Sequence, residues 1–439
     1  MNKDSKPVIS LFSGAMGLDV GLEMAGFDTA VSVEENEECV ESIQKNRPNL
    51  PIISGDIRNI DAQKILDAAE LDQEEPFLVA GGPPCVTFSS GGNRGSIRDA
   101  EGSLFEDFLR IVKYSRPKYF LFENVANIVT AAIKHRPIEE RPGEHWNLSS
   151  YSDGVRDSVD KDENVAPLMP EEQAGSAIEV VLDAFENLGY QMIFFVLNAA
   201  DYGVPQHRLR LFIVGSRGNA PLSLPDPTHG PETIPGVKPR KTLRSAIYDL
   251  EEPLESPSYS EKYRQFFSEV PSGGNWRDLP EDIQKEAMGE SYNSGGGKTG
   301  FFRRLSWDEP SPTVTKKPNR KSSAFCHPEE IRPLAVEEWA RIQSFPDEWG
   351  FSGGTYSKYS QIGNAVPCLL GKAVGEMILE ADHEQGDRQS EDLGLWSSDL
   401  SRETLLDAAN THLKESANPH REYKPHVSEI YNSVQTKLV

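Results

Sequence analysis

The stretch GGPPCVTFSSGG, residues 81–92, carries Cys85 on a backbone that its prolines and glycines keep out of a helix. A free cysteine is most often a small buried hydrophobe. A thiol held in a loop is different, because its thiolate is a nucleophile once a low pKa or a nearby base favours it. Further along, KYFLFENV ends in Glu123 and Asn124. A carboxyl at the end of an apolar strand is a candidate general acid, kept protonated by desolvation. QHRLRLFIVG then sets Arg208 and Arg210 two positions apart, on one face of a strand start.

A second group of residues has the spacing of a nucleoside site. In LFSGAMGLDVGLEMAGF, Gly14 and Gly17 sit at a strand-to-helix turn, where a ligand can approach bare backbone. The next strand ends at Glu34, where a doubly wound fold places a carboxylate on a ribose. GDIRN offers Asp56 at the same sheet edge. The glycine turn alone is as readily packing or punctuation, and either acid alone is as readily a solvated loop carboxylate. Together they point to a nucleoside-containing cofactor. NAD would be the default, but the glycine pattern departs from the dinucleotide one.

These residues need a sheet to bring them to one edge. VISLF, DTAVSVE, PFLVAGG, KYFLFENV, QMIFFVLN and LRLFIVG read as buried strands. LDVGLEMAG, NEECVESIQKN, LFEDFLRIVKYS and SAIEVVLDAFENLG between them have helical spacing. This alternation predicts an α/β fold with a mostly parallel, doubly wound sheet covered on both faces. Residues 136–173 interrupt it with an aperiodic acidic stretch, read as a surface insertion, partly disordered. Residues 218–326 are rich in Pro, Gly and Ser and read as a smaller domain of short strands and loops. VEEWARIQSF and GNAVPCLLGKAVGEMILE return to the first domain, which therefore comprises 1–217 and 327–381. The remainder, 382–439, reads as a peripheral acidic tail. No internal repeat is visible.

The chain of 439 residues has a formal net charge of −24, which by itself argues against a polyanionic partner. The distribution matters more than the sum: Lys298 to Lys321 holds seven basic residues and two acidic ones. No long apolar run predicts a membrane span, and the N-terminus MNKDSKPVISLF has no signal core. Cys39, Cys85, Cys326 and Cys368 are scattered, without the close pairs of a zinc site or a disulfide framework. These features predict a cytoplasmic protein without a metal centre.

The ordered blocks LFSGAMG, Glu34, GDI, GGPPCVTFS, FENV, DYGVPQHRLR, ARIQSFPD and YSQIGNAVP closely resemble those of the S-adenosylmethionine-dependent DNA (cytosine-5)-methyltransferases. They span nearly all of residues 8–375. The resemblance implies a Rossmann-like doubly wound mixed sheet, the S-adenosylmethionine methyltransferase fold, with 218–326 as target-recognition domain. By the same resemblance Cys85 attacks cytosine C6, Glu123 engages N3, and Asn124 supports the Glu123 loop. Arg210 contacts the cytosine O2 and Arg208 supports the active-site wall. S-adenosyl-L-methionine is the implied cofactor, with Phe12, Gly14, Gly17, Glu34, Asp56, Ile57, Pro84, Leu104, Asn364 and Val366 lining its site. Asn364 lies so late in the chain that its helix must fold back beside the first strand. Ser89, Thr313, Lys316, Lys317, Arg320 and Lys321 are the implied DNA contacts, the basic ones meeting phosphates. Three positions depart from the family pattern: Met16 where glycine is common, Val86 where glutamine is usual, and Glu101 where arginine is typical.

The implied partner is double-stranded DNA, met by a monomer in the cytoplasm and nucleoid. The same resemblance leaves room for a cognate restriction endonuclease acting separately. Two competing readings are a tRNA-cytosine methyltransferase and a catalytically silent DNA-binding relative. The first lacks its short recognition segment here. The second is opposed by the intact Cys85, Glu123 and Arg210.

Overall fold

The computed structural model describes residues 5–84, 104–134, 168–218, 220–230, 236–251, 254–292, 300–320, 323–385 and 401–416. Cys85, Val86, Ser89, Glu101 and Lys321, with most of 136–173 and of 382–439, lie outside the described residues.

The chain begins β1 (Pro7–Leu11), α1 (Gly17–Ala25), β2 (Asp28–Glu34), α2 (Glu37–Asn46), β3 (Ile52–Ser54), α3 (Ala62–Ala69) and β4 (Leu78–Gly81). It continues α4 (Leu104–Ser115), β5 (Tyr119–Val125), α5 (Ser176–Glu186), β6 (Gln191–Asn198) and β7 (Leu209–Ser216). These seven strands form one sheet in the order β3-β2-β1-β4-β5-β7-β6. All neighbours are parallel except β7, which runs antiparallel to β5 and β6. The strand order reverses between β1 and β4, and a doubly wound sheet opens its ligand crevice at that switch point. The sheet is the mixed, Rossmann-like one. Its strands are near-continuous apolar runs because helices cover both faces.

The second region holds β8 (His229–Gly230), β9 (Lys238–Pro239), α6 (Leu243–Ile247), α7 (Glu261–Glu269), α8 (Glu281–Met288), β10 (Arg303–Arg304) and β11 (Phe325–Cys326). Its strands are only two residues long, so the reading of short strands and loops understates its helices. Both longer helices are brief and amphipathic: α7 starts at the Ser260 cap and buries Phe266 and Phe267. Those two pack with Tyr259, Trp276, Met288 and Phe302 in a small core.

The chain then returns through α9 (Val336–Ile342), α10 (Thr355–Asn364) and α11 (Cys368–Gln385). A core of Leu243, Trp307, Val314, Phe325, Trp339, Tyr359 and Ile362 runs across residue 326, so packing marks no boundary there. Within Thr355–Glu384 one 18-residue window is apolar enough, at mean hydropathy 1.3, to pass for a membrane span, but 61% of that window is buried in the protein. Residues 401–416 differ from the acidic-tail reading. They contain α12 (Arg402–Ser416), whose Leu405 and Ala409 join the main core. Arg402 fixes it to α5 through Asp183 at 2.7 Å, Glu186 at 3.0 Å and Glu179.

Candidate active site

At the carboxyl end of β1 the chain turns sharply. Phe12 (φ +55°) and Met16 (φ +63°) both adopt the left-handed conformation, and Gly14 does so at φ +54°. Left-handed backbone is costly for side chains, which gives a physical reason for the glycine common at position 16. Met16 is fully buried, so apolar packing offsets that strain. Gly17 is required by its surroundings: a Cβ there would lie 2.3 Å from the Val366 carbonyl oxygen. Gly21 likewise faces the Cys368 carbonyl oxygen at 2.2 Å. These two glycines bring α1 against the start of α11. Asn364 and Val366 thereby stand beside the β1 turn, and Asn364 is exposed between buried neighbours.

Glu34 ends β2 facing the same crevice. Gly14 N–H donates to its Oε2 at 2.7 Å and Asn36 N–H to its Oε1 at 2.8 Å. Burial pushes this carboxyl up, against those two hydrogen bonds. Asp56 caps the 3-10 turn Ile57–Asn59, and Arg58 holds both its oxygens, at 2.9 Å through Nε and 2.6 Å through Nη2. That pairing draws the Asp56 carboxyl below the ordinary range. Leu104 opens α4, half-buried against the core, and Pro84 is exposed three residues beyond β4. An added Cβ at Gly14 would meet nothing within 4 Å. An open backbone turn, a fixed carboxylate and apolar walls fit a nucleoside with ribose hydroxyls to donate.

Across the switch point stands the second half of the site. Glu123 is 9% exposed and ion-paired to Arg210, Nε to Oε1 at 2.8 Å. Burial pushes the Glu123 carboxyl up, although Arg210 and Arg208 oppose the shift. Gly82 packs on this carboxylate so closely that a Cβ would come within 2.5 Å of Oε2. Asn124 Nδ2 donates to the Pro83 carbonyl at 3.3 Å, and Asn124 Oδ1 accepts from Val125 N–H at 2.8 Å. The segment that leads into Cys85 is thus tied to the strand that carries Glu123. Cys85 itself lies outside the described residues.

Arg208 and Arg210 do not act as one pair of donors. Arg208 precedes β7, where strand alternation does not apply, and its guanidinium turns away. Nη1 donates to the Val314 carbonyl at 3.0 Å and Nη2 to the Gly363 carbonyl at 2.8 Å, with the side chain 2% exposed. It joins the segment bearing Val314 to the segment bearing Asn364.

Gln206, at the head of the Gln-x-Arg-x-Arg run, extends that clamp. Its Oε1 accepts from Val314 N–H at 2.9 Å, and its Nε2 donates to Gln343 Oε1 at 2.8 Å. Gln343 in turn donates to the Ile362 and Ala365 carbonyls at 2.6 and 3.0 Å. Thr313 uses its hydroxyl on the His207 carbonyl at 2.7 Å, inside the clamp. Lys316, Lys317 and Arg320 follow it and are exposed. Asp19 was missed. It is 1% exposed on α1 with no partner for Oδ1 among the described residues, and burial pushes its carboxyl up to about 7.

Comparison with known proteins identifies the family. The family model of C-5 cytosine-specific DNA methylases matches residues 7–136 and 163–380. Type II methyltransferase M.Sau96I of Staphylococcus aureus is 37% identical over 381 residues, covering 86% of this chain and 76% of that protein. Type II methyltransferase M.Eco47II of Escherichia coli is 37% identical over 376 residues, covering 85% and 78%. Among solved structures, a prophage-encoded DNA modification methyltransferase from E. coli superposes at TM-score 0.55. It is 22% identical, and the match covers 86% of this chain and all 100% of that one. The Entamoeba histolytica methyltransferase EhMeth gives 0.50 at 14% identity, covering 86% and 99%, again a likeness of fold. The chain belongs to the C-5 cytosine-specific DNA methylase family.

Proposed function

We propose that this enzyme methylates C5 of a cytosine flipped out of a specific double-stranded DNA sequence, through covalent addition of Cys85 to C6. The observation that carries the reading is the buried Glu123 carboxyl, gripped between Arg210 and Gly82 where the chain enters the Cys85 loop. S-adenosyl-L-methionine is the family's methyl donor and supplies, when bound, an electrophilic sulfonium methyl.

Cytosine C5 is too weak a nucleophile to react unaided. Addition of the Cys85 thiolate to C6 forms a carbon–sulfur bond and pushes the C5–C6 π electrons into the ring, leaving C5 enamine-like. Glu123 holds a proton at N3, where the displaced charge would otherwise collect. Arg210, already against Glu123, lies on that side of the base and meets O2. Once C5 is methylated, loss of its proton and expulsion of the thiolate restore the aromatic ring. None of this is reachable inside a duplex, so the base leaves the stack.

Glu34 holds the ribose, Asp56 and Ile57 the adenine, and Phe12, Gly14, Gly17, Pro84, Leu104, Asn364 and Val366 line the remainder. Lys316, Lys317, Arg320 and Lys321 meet phosphates, with Ser89 and Thr313 beside them. The enzyme works as a monomer on DNA in the cytoplasm, as a solitary methylase or beside a separately acting restriction endonuclease.

The test is incubation of the purified chain with duplex DNA and, separately, tRNA, using methyl-labelled cofactor and mass spectrometry of the nucleosides. Label in 5-methyldeoxycytidine of the duplex supports the reading. Label only in tRNA, or none at all, contradicts it.

A further inference from the structure

We infer that Arg110 is a positioning residue for the adenine side of the cofactor crevice, an inference that rests on the cofactor assignment above. Arg110 lies midway along α4, and its guanidinium leaves the helix to bind the loop after β3. Nη2 donates to the Ile57 carbonyl at 2.8 Å and Nη1 to the Ile60 carbonyl at 3.1 Å. These are the first residue of the 3-10 turn Ile57–Asn59 and the residue that follows it. The turn is also held by the Asp56 cap, by Asn59 N–H to the Asp56 carbonyl at 2.9 Å, by Ile60 N–H to the Ile57 carbonyl at 3.1 Å, and by burial of Ile57 and Ile60 in the main core. Three residues form a single tight turn with little intrinsic stability.

The guanidinium is itself aimed. Asp107, one turn earlier on α4, accepts from Arg110 Nε at 3.0 Å. Asp107 Oδ1 also lies 3.0 Å from Nη2, so Asp107 aims the guanidinium while Nη1 and Nη2 reach the loop, in the fixed fork geometry that a lysine lacks. Tyr114 adds a second tie between α4 and this layer, its hydroxyl donating to Gln63 Oε1 at 2.7 Å.

The side chain touches neither reacting group, so its loss acts on binding. Arg110→Met keeps the aliphatic stem and removes every donor. Isothermal titration with S-adenosyl-L-methionine alone is expected to show its Kd rising about tenfold. The Kd for duplex DNA should stay within about twofold, and kcat at saturating cofactor near wild type. Arg110→Lys should restore part of the cofactor affinity, because one ammonium replaces the forked pair.

Unchanged cofactor affinity in Arg110→Met overturns the inference. So does equal weakening of cofactor and DNA, which would mark general loosening. Should Arg110→Met not fold, Arg110→Lys decides alone: full wild-type cofactor affinity contradicts the role. Failure of the wild-type chain to bind the cofactor would instead refute the cofactor assignment.

Discussion

Gly82 and Glu123 share one small space: the Glu123 Oε2 stands where a side chain at residue 82 would begin, 2.5 Å from an added Cβ. Glu123 cannot move aside freely, because Arg210 holds its other oxygen at 2.8 Å and the residue is 9% exposed. Gly82→Ala should therefore fold but push the carboxylate off the position from which it reaches the base. A misplaced general acid costs about 10²–10⁴ in rate. Single-turnover methyl transfer should fall by at least that lower bound, with cofactor affinity unchanged by titration. Wild-type turnover in Gly82→Ala would mean that the observed Glu123 position is not the working one.

Asp19 gives the fold a pH dependence of known sign. Burial raises its folded pKa to about 7, above the unfolded carboxyl. The stability tied to the protonated form is full below the unfolded pKa and is lost as pH climbs through about 7. Across that window the loss amounts to roughly 4 kcal/mol. Asp19→Asn, neutral at every pH, should raise the melting temperature at about pH 8.5 and change it little at about pH 4.5. The reverse ordering in thermal melts at the two pH values would show that the fold lowers the Asp19 carboxyl instead of raising it.

The exposed Lys316, Lys317 and Arg320, together with Lys321, give a separate prediction for DNA. Replacing all four by alanine should weaken binding across sequences and flatten its salt dependence. If each meets a phosphate, the log–log salt slope falls by about 3–4. The methylated sequence should not change, because phosphate contacts position without specifying bases. Bisulfite sequencing of exposed DNA beside binding titrations checks both halves. A changed motif would place these side chains at base edges.

Much of this was legible in the sequence because sheet order and site order follow from short, strongly patterned runs. The six apolar runs are six of the seven strands, and GDIRN begins at the end of β3. The late position of Asn364 demanded a return to β1, and Gly17 against the Val366 carbonyl is that return. What escaped is contact between distant polar residues. Gln206 and Gln343 meet across 137 positions, and neither has a local pattern that announces a partner. Arg208 and Arg210 look paired by spacing, but only Arg210 lies in a strand. Helix α12 was hidden because RETLLDAANTHLKES has a narrow apolar stripe inside an acidic stretch, and its stability comes from docking.

The central claim is that Cys85 bonds covalently to cytosine C6, and trapping tests it most directly. A duplex with 5-fluorocytosine at a site the chain is verified to methylate is incubated with enzyme and S-adenosyl-L-methionine. Fluorine cannot leave C5 as a cation, so the thioether formed at C6 has no route to expel the thiolate. Wild type should give a denaturation-resistant protein–DNA adduct of one-to-one mass. Cys85→Ser should give none while still binding cofactor and DNA, since a hydroxyl is far less nucleophilic at neutral pH. No wild-type adduct on a verified site, or an adduct that survives Cys85→Ser, would contradict the covalent mechanism.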